Sequence, residues 1–210
     1  MTQDLESKIN GFFATPYLTS TYKIVLFKAI LVWAQDIEVS DTTILSLDSI
    51  AEFFLKTYFQ FFRYKELHHL TNKEKTIDFF NLLDKQNSNK QEQLTNEIIS
   101  SLTDEAKTII IQDVIYRFRN NCCIYEFVQL IESKMKILSV PNKIEEKEYL
   151  DKKSKITHLK FEKIDIEWLR KNNTLLKKSL NYLLVEFLYK LNSDQPNIIN
   201  KIMELLNKEK

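Results

Sequence analysis

The sequence predicts a predominantly α-helical protein: an all-α, multi-helix globular bundle with at most a small β element near residues 137–161. Three observations carry this. The 210 residues hold one glycine, Gly11, and three prolines, Pro16, Pro141 and Pro196; tight hairpins and sharp strand turns draw on glycine for positive φ. Apolar residues recur at three- and four-residue spacing in successive blocks. The joints between blocks are polar and charged. A chain of this length buries a proper core. The expected organisation is a helical core domain over 1–140, with a basic segment and C-terminal helices over 141–210 packed on the same core; the alternative is one single domain over 1–210.

The N-terminus, M-T-Q-D-L-E-S-K, is polar and has no signal-peptide apolar region. A first helix is expected over 21–34, with Thr19 and Ser20 as capping hydroxyls and Ile24, Phe27, Ile30 and Leu31 on its apolar face. The connector D-I-E-V-S-D-T-T-I-L-S-L-D-S is polar with a short β-like piece. A second helix starts near Ser46 to Asp48 and runs through I-A-E-F-F-L-K-T-Y-F-Q-F-F; apolar residues nearly encircle it, which places it centrally. Thr71-Asn-Lys-Glu74 reads as a capping box ahead of T-I-D-F-F-N-L-L. Residues 84–93 are wholly polar and read as a loop. A long helical segment follows over 104–130, with Ile109, Val114, Ile115, Phe118 and Tyr125 as core and Asn120-Asn121 as an interruption.

Pro141 opens the next joint, and 142–155 is dense in Lys, Glu and Asp. I-T-H-L-K-F (156–161) alternates as a short strand would, with M-K-I-L-S-V as its expected partner. Helices resume near Asp165, at Thr174 and after Pro196, which suits a first helical turn. There is no internal repeat and no heptad run.

Composition excludes several classes. Net charge is +1, so any nucleic-acid surface must come from local asymmetry. No glycine pattern for a P-loop or a dinucleotide fold can be written. Cys122 and Cys123 are adjacent, and no C-x-x-C exists, which points to reduced structural thiols in a cytoplasmic protein. Lys23, Lys28 and Asp36 break the longest apolar stretches, against a membrane span. No cofactor and no metal site is expected.

The clearest asymmetry lies between 152 and 178. Lys152, Lys153, Lys155, Lys160, Lys163, Arg170, Lys171, Lys177 and Lys178 stand against Glu162, Asp165 and Glu167, with Tyr149, Phe161 and Trp168 nearby. Such a strip neutralises phosphates and releases counterions; the plainer reading is a solvated face. Arg63 and His68 have the R-x4-H spacing of HEPN-type ribonucleases, in which histidine acts as acid or base and arginine stabilises phosphorane charge. The plainer reading is a polar helix end, and Tyr64 follows Arg63 where that family favours a polar residue. His68-His69 resembles the start of an HNH motif, but the only other histidine, His158, is far downstream, so no HNH centre is written here. Asp151-Lys152-Lys153, with Asp113 upstream, gives a D-x-K fragment without the P-D dipeptide of PD-(D/E)xK nucleases. No G-x-S-x-G elbow is present. Glu145-Glu146 reads as solvated. The aromatic run Phe53, Phe54, Tyr58, Phe59, Phe61, Phe62 reads as core, as do Trp33 and Trp168.

Ser20-Thr21-Tyr22-Lys23 opens an apolar helix, and Ile50-Ala51-Glu52-Phe53-Phe54-Leu55-Lys56-Thr57-Tyr58 follows. Near the other end come Asn192-Ser-Asp-Gln-Pro196-Asn-Ile198-Ile-Asn-Lys201-Ile202. In this order the blocks resemble the N-terminal helical region that precedes the nuclease domain in bacterial HNH-endonuclease-type proteins of restriction and anti-phage defence. Thr21 is an insertion into the S-Y-K form, one extra residue precedes Pro196, and 79–139 is unassigned. The resemblance implies a non-catalytic nucleic-acid-binding or assembly module, with DNA, RNA or a nuclease subunit as partner and a homo-oligomer left open. A helical protein–protein adaptor is the alternative, and a metal-independent HEPN-like ribonuclease using Arg63 and His68 is the second.

Overall fold

A computed structural model describes residues 2–14, 18–38, 43–64, 66–87, 94–138, 149 and 152–207. Pro16, Pro141, Glu145-Glu146, Asp151 and residues 88–93 lie outside the described residues. The fold is mostly helical, with a small four-stranded antiparallel sheet. The helices are α1 (Thr2–Ala14), α2 (Tyr22–Asp36), α3 (Leu47–Phe62), α4 (Asp78–Asn87), α5 (Asn96–Ile109), α6 (Ile115–Asn121), α7 (Lys163–Lys171), α8 (Asn173–Asn192) and α9 (Ile198–Asn207). The strands are β1 (Thr43–Ser46), β2 (Glu126–Ile131), β3 (Lys134–Ile137) and β4 (His158–Phe161).

Helix α1 forms where the sequence offered only a polar start. Leu5, Ile9 and Phe12 recur at helical spacing and are buried, and Phe12 meets Phe27 of α2 and Phe118 of α6. Helix α3 is central. Ser46 Oγ accepts from the Ser49 N–H at 3.1 Å, capping the start. Leu47, Ile50, Ala51, Phe54, Leu55, Tyr58 and Phe61 then form its buried stripe. Tyr58 is the hub of an aromatic cluster with Tyr22, Phe54, Phe61, Phe79 and Phe80, with centroids 5.0 to 6.0 Å apart.

Three sequence expectations need correction. The segment 104–130 is not one helix. A π turn over Ile110–Val114 separates α5 from α6, and the helix ends at Asn121. The Ile115 N–H reaches back to the Ile110 carbonyl, and the Tyr149 and Tyr125 hydroxyls donate to the Ile111 and Ile115 carbonyls. Residues from Glu126 onward are strand. The capping box at Thr71 does not form. The Thr71 N–H and hydroxyl both go to the Thr19 carbonyl, Glu74 N–H donates to Asn72 Oδ1, and α4 starts only at Asp78. Pro196 lies in the turn ahead of α9 rather than inside its first turn.

The β element is larger than expected and paired differently. Strand order is β1-β4-β2-β3. β4 pairs with β1 (Ile44 opposite Lys160) and with β2 (Phe127 opposite Leu159), while β3, among the described residues, pairs with β2 alone. The β2–β3 hairpin turns at Glu132 and Ser133, with φ of 46° and 65°. A hairpin of this kind needs left-handed backbone, and here two non-glycine residues supply it.

Both ends of the chain enter one core, from Leu5 to Leu205. Polar clamps fix α7 and α8 against α2: Arg170 Nε donates to the Ala34 carbonyl and Asn173 Nδ2 to the Leu31 carbonyl at 2.7 Å. Among the described residues, no helix is long and apolar enough to cross a membrane.

Candidate nucleic-acid interface

The structure distributes the nine basic residues over several elements. Lys153 and Lys155 sit in a 3-10 turn (Lys153–Lys155) with Lys152 before it. Lys160 is on β4, and its ammonium lies 3.1 Å from Glu126 and 3.5 Å from Glu162. Burial works against that charge, but the two carboxylates outweigh it and raise its pKa. Arg170 is committed to the Ala34 carbonyl. Lys163 and Lys171 are exposed on α7 and Lys178 on α8. Lys160 and Arg170 therefore make intramolecular contacts.

Lys177 behaves differently. It faces a cleft of about 380 Å³ between α2, α3, α8 and α9, lined by Lys28, Val32, Phe53, Lys56, Thr57, Gln60, Lys177, Asn181 and Leu206. Three lysines from three helices thus meet over an apolar floor with amide and hydroxyl groups beside them. None of the described lining residues is acidic. Lys56 also pairs along its own helix with Glu52. Lys28 and Lys56 were missed in the sequence because they are remote from the 152–178 strip. Their spacing on separate helices gives no local signal.

A second cleft, of about 360 Å³, opens at the other side of α2. Thr19, Ser20, Tyr22, Lys23, Thr71, Asn72, Lys75, Asp78, Asp113 and Arg117 are among its lining residues. Residues 19–21 run beside 69–71, with Thr21 N–H donating to the His69 carbonyl at 3.2 Å. Lys23 Nζ donates to Asn121 Oδ1 at 2.7 Å. Burial, then the neighbouring Arg117 charge, lowers its pKa to about 8. Burial, then Asp113, raises the Asp78 carboxyl. Asp78 N–H donates to the Tyr22 hydroxyl at 3.1 Å, and Arg117 pairs with Asp113 at 3.2 Å. Both signs of charge line this cleft, so it has no single preference for an anion.

The remaining candidates fall into ordinary structural positions. Arg63 is exposed where α3 ends, and His68 is half-buried with its N–H donating to Asn192 Oδ1 at 2.7 Å. His69 is buried against Phe61 and Phe80, and neither ring nitrogen has a hydrogen-bond partner among the described residues. Burial, then His68, lowers its pKa to about 3, so it packs as a neutral ring. His158 Nδ1 lies 2.9 Å from the Thr157 hydroxyl. Asp113 is engaged with Arg117. Cys122 is buried, its thiol pushed up to about 12 by burial and then by Cys123, and Cys123 is half-buried; neither is in a disulfide. Trp33 packs on Phe161 with centroids 5.0 Å apart. Among the described residues, no three His, Cys, Asp or Glu side chains converge as metal ligands would.

Comparison of the chain with protein-family models, with curated proteins and with solved structures returns no match.

Proposed function

We propose that this protein is a non-catalytic nucleic-acid-binding module that takes a phosphate backbone in the cleft between α2, α3 and α8. The observation that carries this reading is the convergence of Lys28, Lys56 and Lys177 on one cleft whose described lining has no carboxylate. Lysine ammonium groups act as point charges for phosphate oxygens, and Thr57, Gln60 and Asn181 add neutral hydrogen-bonding groups. Lys155, Lys163, Lys171 and Lys178 are exposed as well. The sequence resemblance to the helical region of HNH-endonuclease-type defence proteins supports the same reading and supplies its setting, beside a restriction or anti-phage nuclease.

The test is fluorescence anisotropy with labelled single- and double-stranded DNA and RNA across a salt series. Affinity should fall linearly with log salt. Substituting Lys28, Lys56 and Lys177 together by Gln should flatten the slope by about 2–3. Wild-type protein without salt-sensitive affinity would overturn the reading in favour of a helical protein–protein adaptor, to be identified by capture from nuclease-treated host extract.

A further inference from the structure

Three helices each bring one face to the cleft that holds Lys28, Lys56 and Lys177. Phe53, Lys56, Thr57 and Gln60 stand at three- and four-residue spacing on α3, Lys28 and Val32 stand four apart on α2, and Lys177 and Asn181 four apart on α8. α2 packs against both α3 and α8, so the lysines issue from separate helices around one opening. The same opening is lined by Val32, Phe53 and Leu206, each half-buried, with part of its apolar surface turned into the cleft. Contacts to phosphate alone leave that surface unused.

Shape and chemistry together select the occupant. The cleft volume of about 380 Å³ is in the range of sites that enclose one small organic molecule. A duplex is too wide to enter it. Its bases are paired and stacked inside, so only its phosphates would reach the lysines, and Val32, Phe53 and Leu206 would stay hydrated. A single strand can turn one base away from its neighbours and lay it on an aromatic ring. Phe53 supplies the ring, and Gln60 and Asn181 supply amide donors and acceptors for the edge of the base. A chain with a phosphate at every nucleotide engages ammonium groups on several helices at once. Lys56 exchanges its exposed pair with Glu52 for a phosphate at little cost. We infer that this cleft selects single-stranded nucleic acid, packing one unpaired base on Phe53 and holding the flanking phosphates with Lys28, Lys56 and Lys177. The inference rests on the reading of the cleft as a phosphate-backbone site and adds to it the form of nucleic acid bound.

Anisotropy titrations of the full chain test it with three labelled probes: an oligothymidine strand, a duplex of the same length, and a strand of that length whose sugars carry no base. The oligothymidine strand should bind about tenfold tighter than the duplex at equal salt. The abasic strand should bind about tenfold more weakly than oligothymidine with an unchanged salt slope, because its phosphates are the same. Oligouridine should match oligothymidine, since the contacts are to base and phosphate. Phe53→Ala should weaken oligothymidine binding about tenfold and abasic binding not at all, and Phe53→Tyr, which keeps the ring, should bind as wild type does. The three probes act on the wild-type protein, so they decide the matter even where Phe53→Ala folds poorly. Equal affinity for strand and duplex, or an abasic strand bound as tightly as oligothymidine, overturns this inference and leaves the phosphate-backbone reading standing. Displacement of the strand by thymidine monophosphate at equal nucleotide concentration overturns it in favour of a free nucleotide. Absence of salt-sensitive affinity for every probe overturns the phosphate-backbone reading itself.

Discussion

Lys23 and Lys28 lie on the same helix, and each is 7% exposed, yet they open into different clefts. Five residues along a helix turn the side chain by about 140°, so the two ammonium groups leave α2 on different sides. Lys23 enters a cleft with Asp78, Asp113 and Arg117, bonds Asn121, and holds its proton less tightly than an ordinary lysine. Lys28 enters a cleft that it shares with Lys56 and Lys177. Burial alone thus does not decide what a lysine does. The neighbours brought up by other helices decide it: carboxylates, an amide and Arg117 around Lys23, and two further lysines beside Lys28.

The largest expected effect tests whether the mixed cleft is a rim of the core. Tyr58 packs on Tyr22 and Phe79 behind it and bonds the Thr21 hydroxyl at 2.8 Å. Tyr58→Ala should cost about 3–5 kcal/mol in urea unfolding. Tyr58→Phe keeps the ring and should cost about 1 kcal/mol. Equal losses would mean that the hydroxyl, and not the packing, holds this side together.

Lys28→Gln and Lys23→Gln separate the clefts directly. The first should weaken nucleic-acid binding and flatten the salt slope by about 0.7–0.9. The second should leave both unchanged in the same anisotropy titration. Matching losses from the two variants would erase the distinction drawn between the clefts.

Proton linkage gives a smaller effect. Folded Lys23 releases its proton near pH 8, whereas the unfolded chain holds it to about 10.5. The unfolded state therefore binds more protons in that window, and the Lys23 contribution makes stability rise with pH across it. Burial raises the Tyr22 phenol, followed by the effect of Asp78, which gives the opposite trend above its ordinary value of 10. The melting temperature of wild type relative to Lys23→Gln should accordingly climb between pH 8 and pH 10; a flat difference would place the amine in water.

The smallest effect concerns Lys56, whose pair with Glu52 is solvent-exposed. Glu52→Gln should change stability by less than about 0.5 kcal/mol while modestly raising nucleic-acid affinity. Weaker binding would show that Glu52 orients Lys56 rather than competing for it.

Much of the helical layout was legible from local pattern. Ser46 ahead of Leu47, the stripe from Ile50 to Phe61 and the restart after Pro196 are short-range signals, and the helices stand where those signals put them. The strands were less legible because their partners are remote: β1 meets β4 across more than a hundred residues. The shortage of glycine also misdirected the reading. It argued against hairpins, but Glu132 and Ser133 adopt the left-handed backbone themselves at an exposed turn. Thr71 and Glu74 carry a capping pattern, yet pairing of 69–71 with 19–21 uses the Thr71 donors first.

The sequence by itself determined which segments are amphipathic, where α2, α3, α7, α8 and α9 begin, and that no glycine-rich phosphate-loop pattern can be written, because each of these depends on residues within a few positions of one another. Tertiary structure decided which charges meet across elements. It joined Lys28, Lys56 and Lys177 from three helices and set Glu126 beside Lys160. It also turned Leu175, Tyr182 and Tyr189 outward, because α8 commits its leucine face to the core. Electrostatic and apolar surfaces depend on distances through space, and a linear pattern does not contain those distances until the core has fixed how the helices pack.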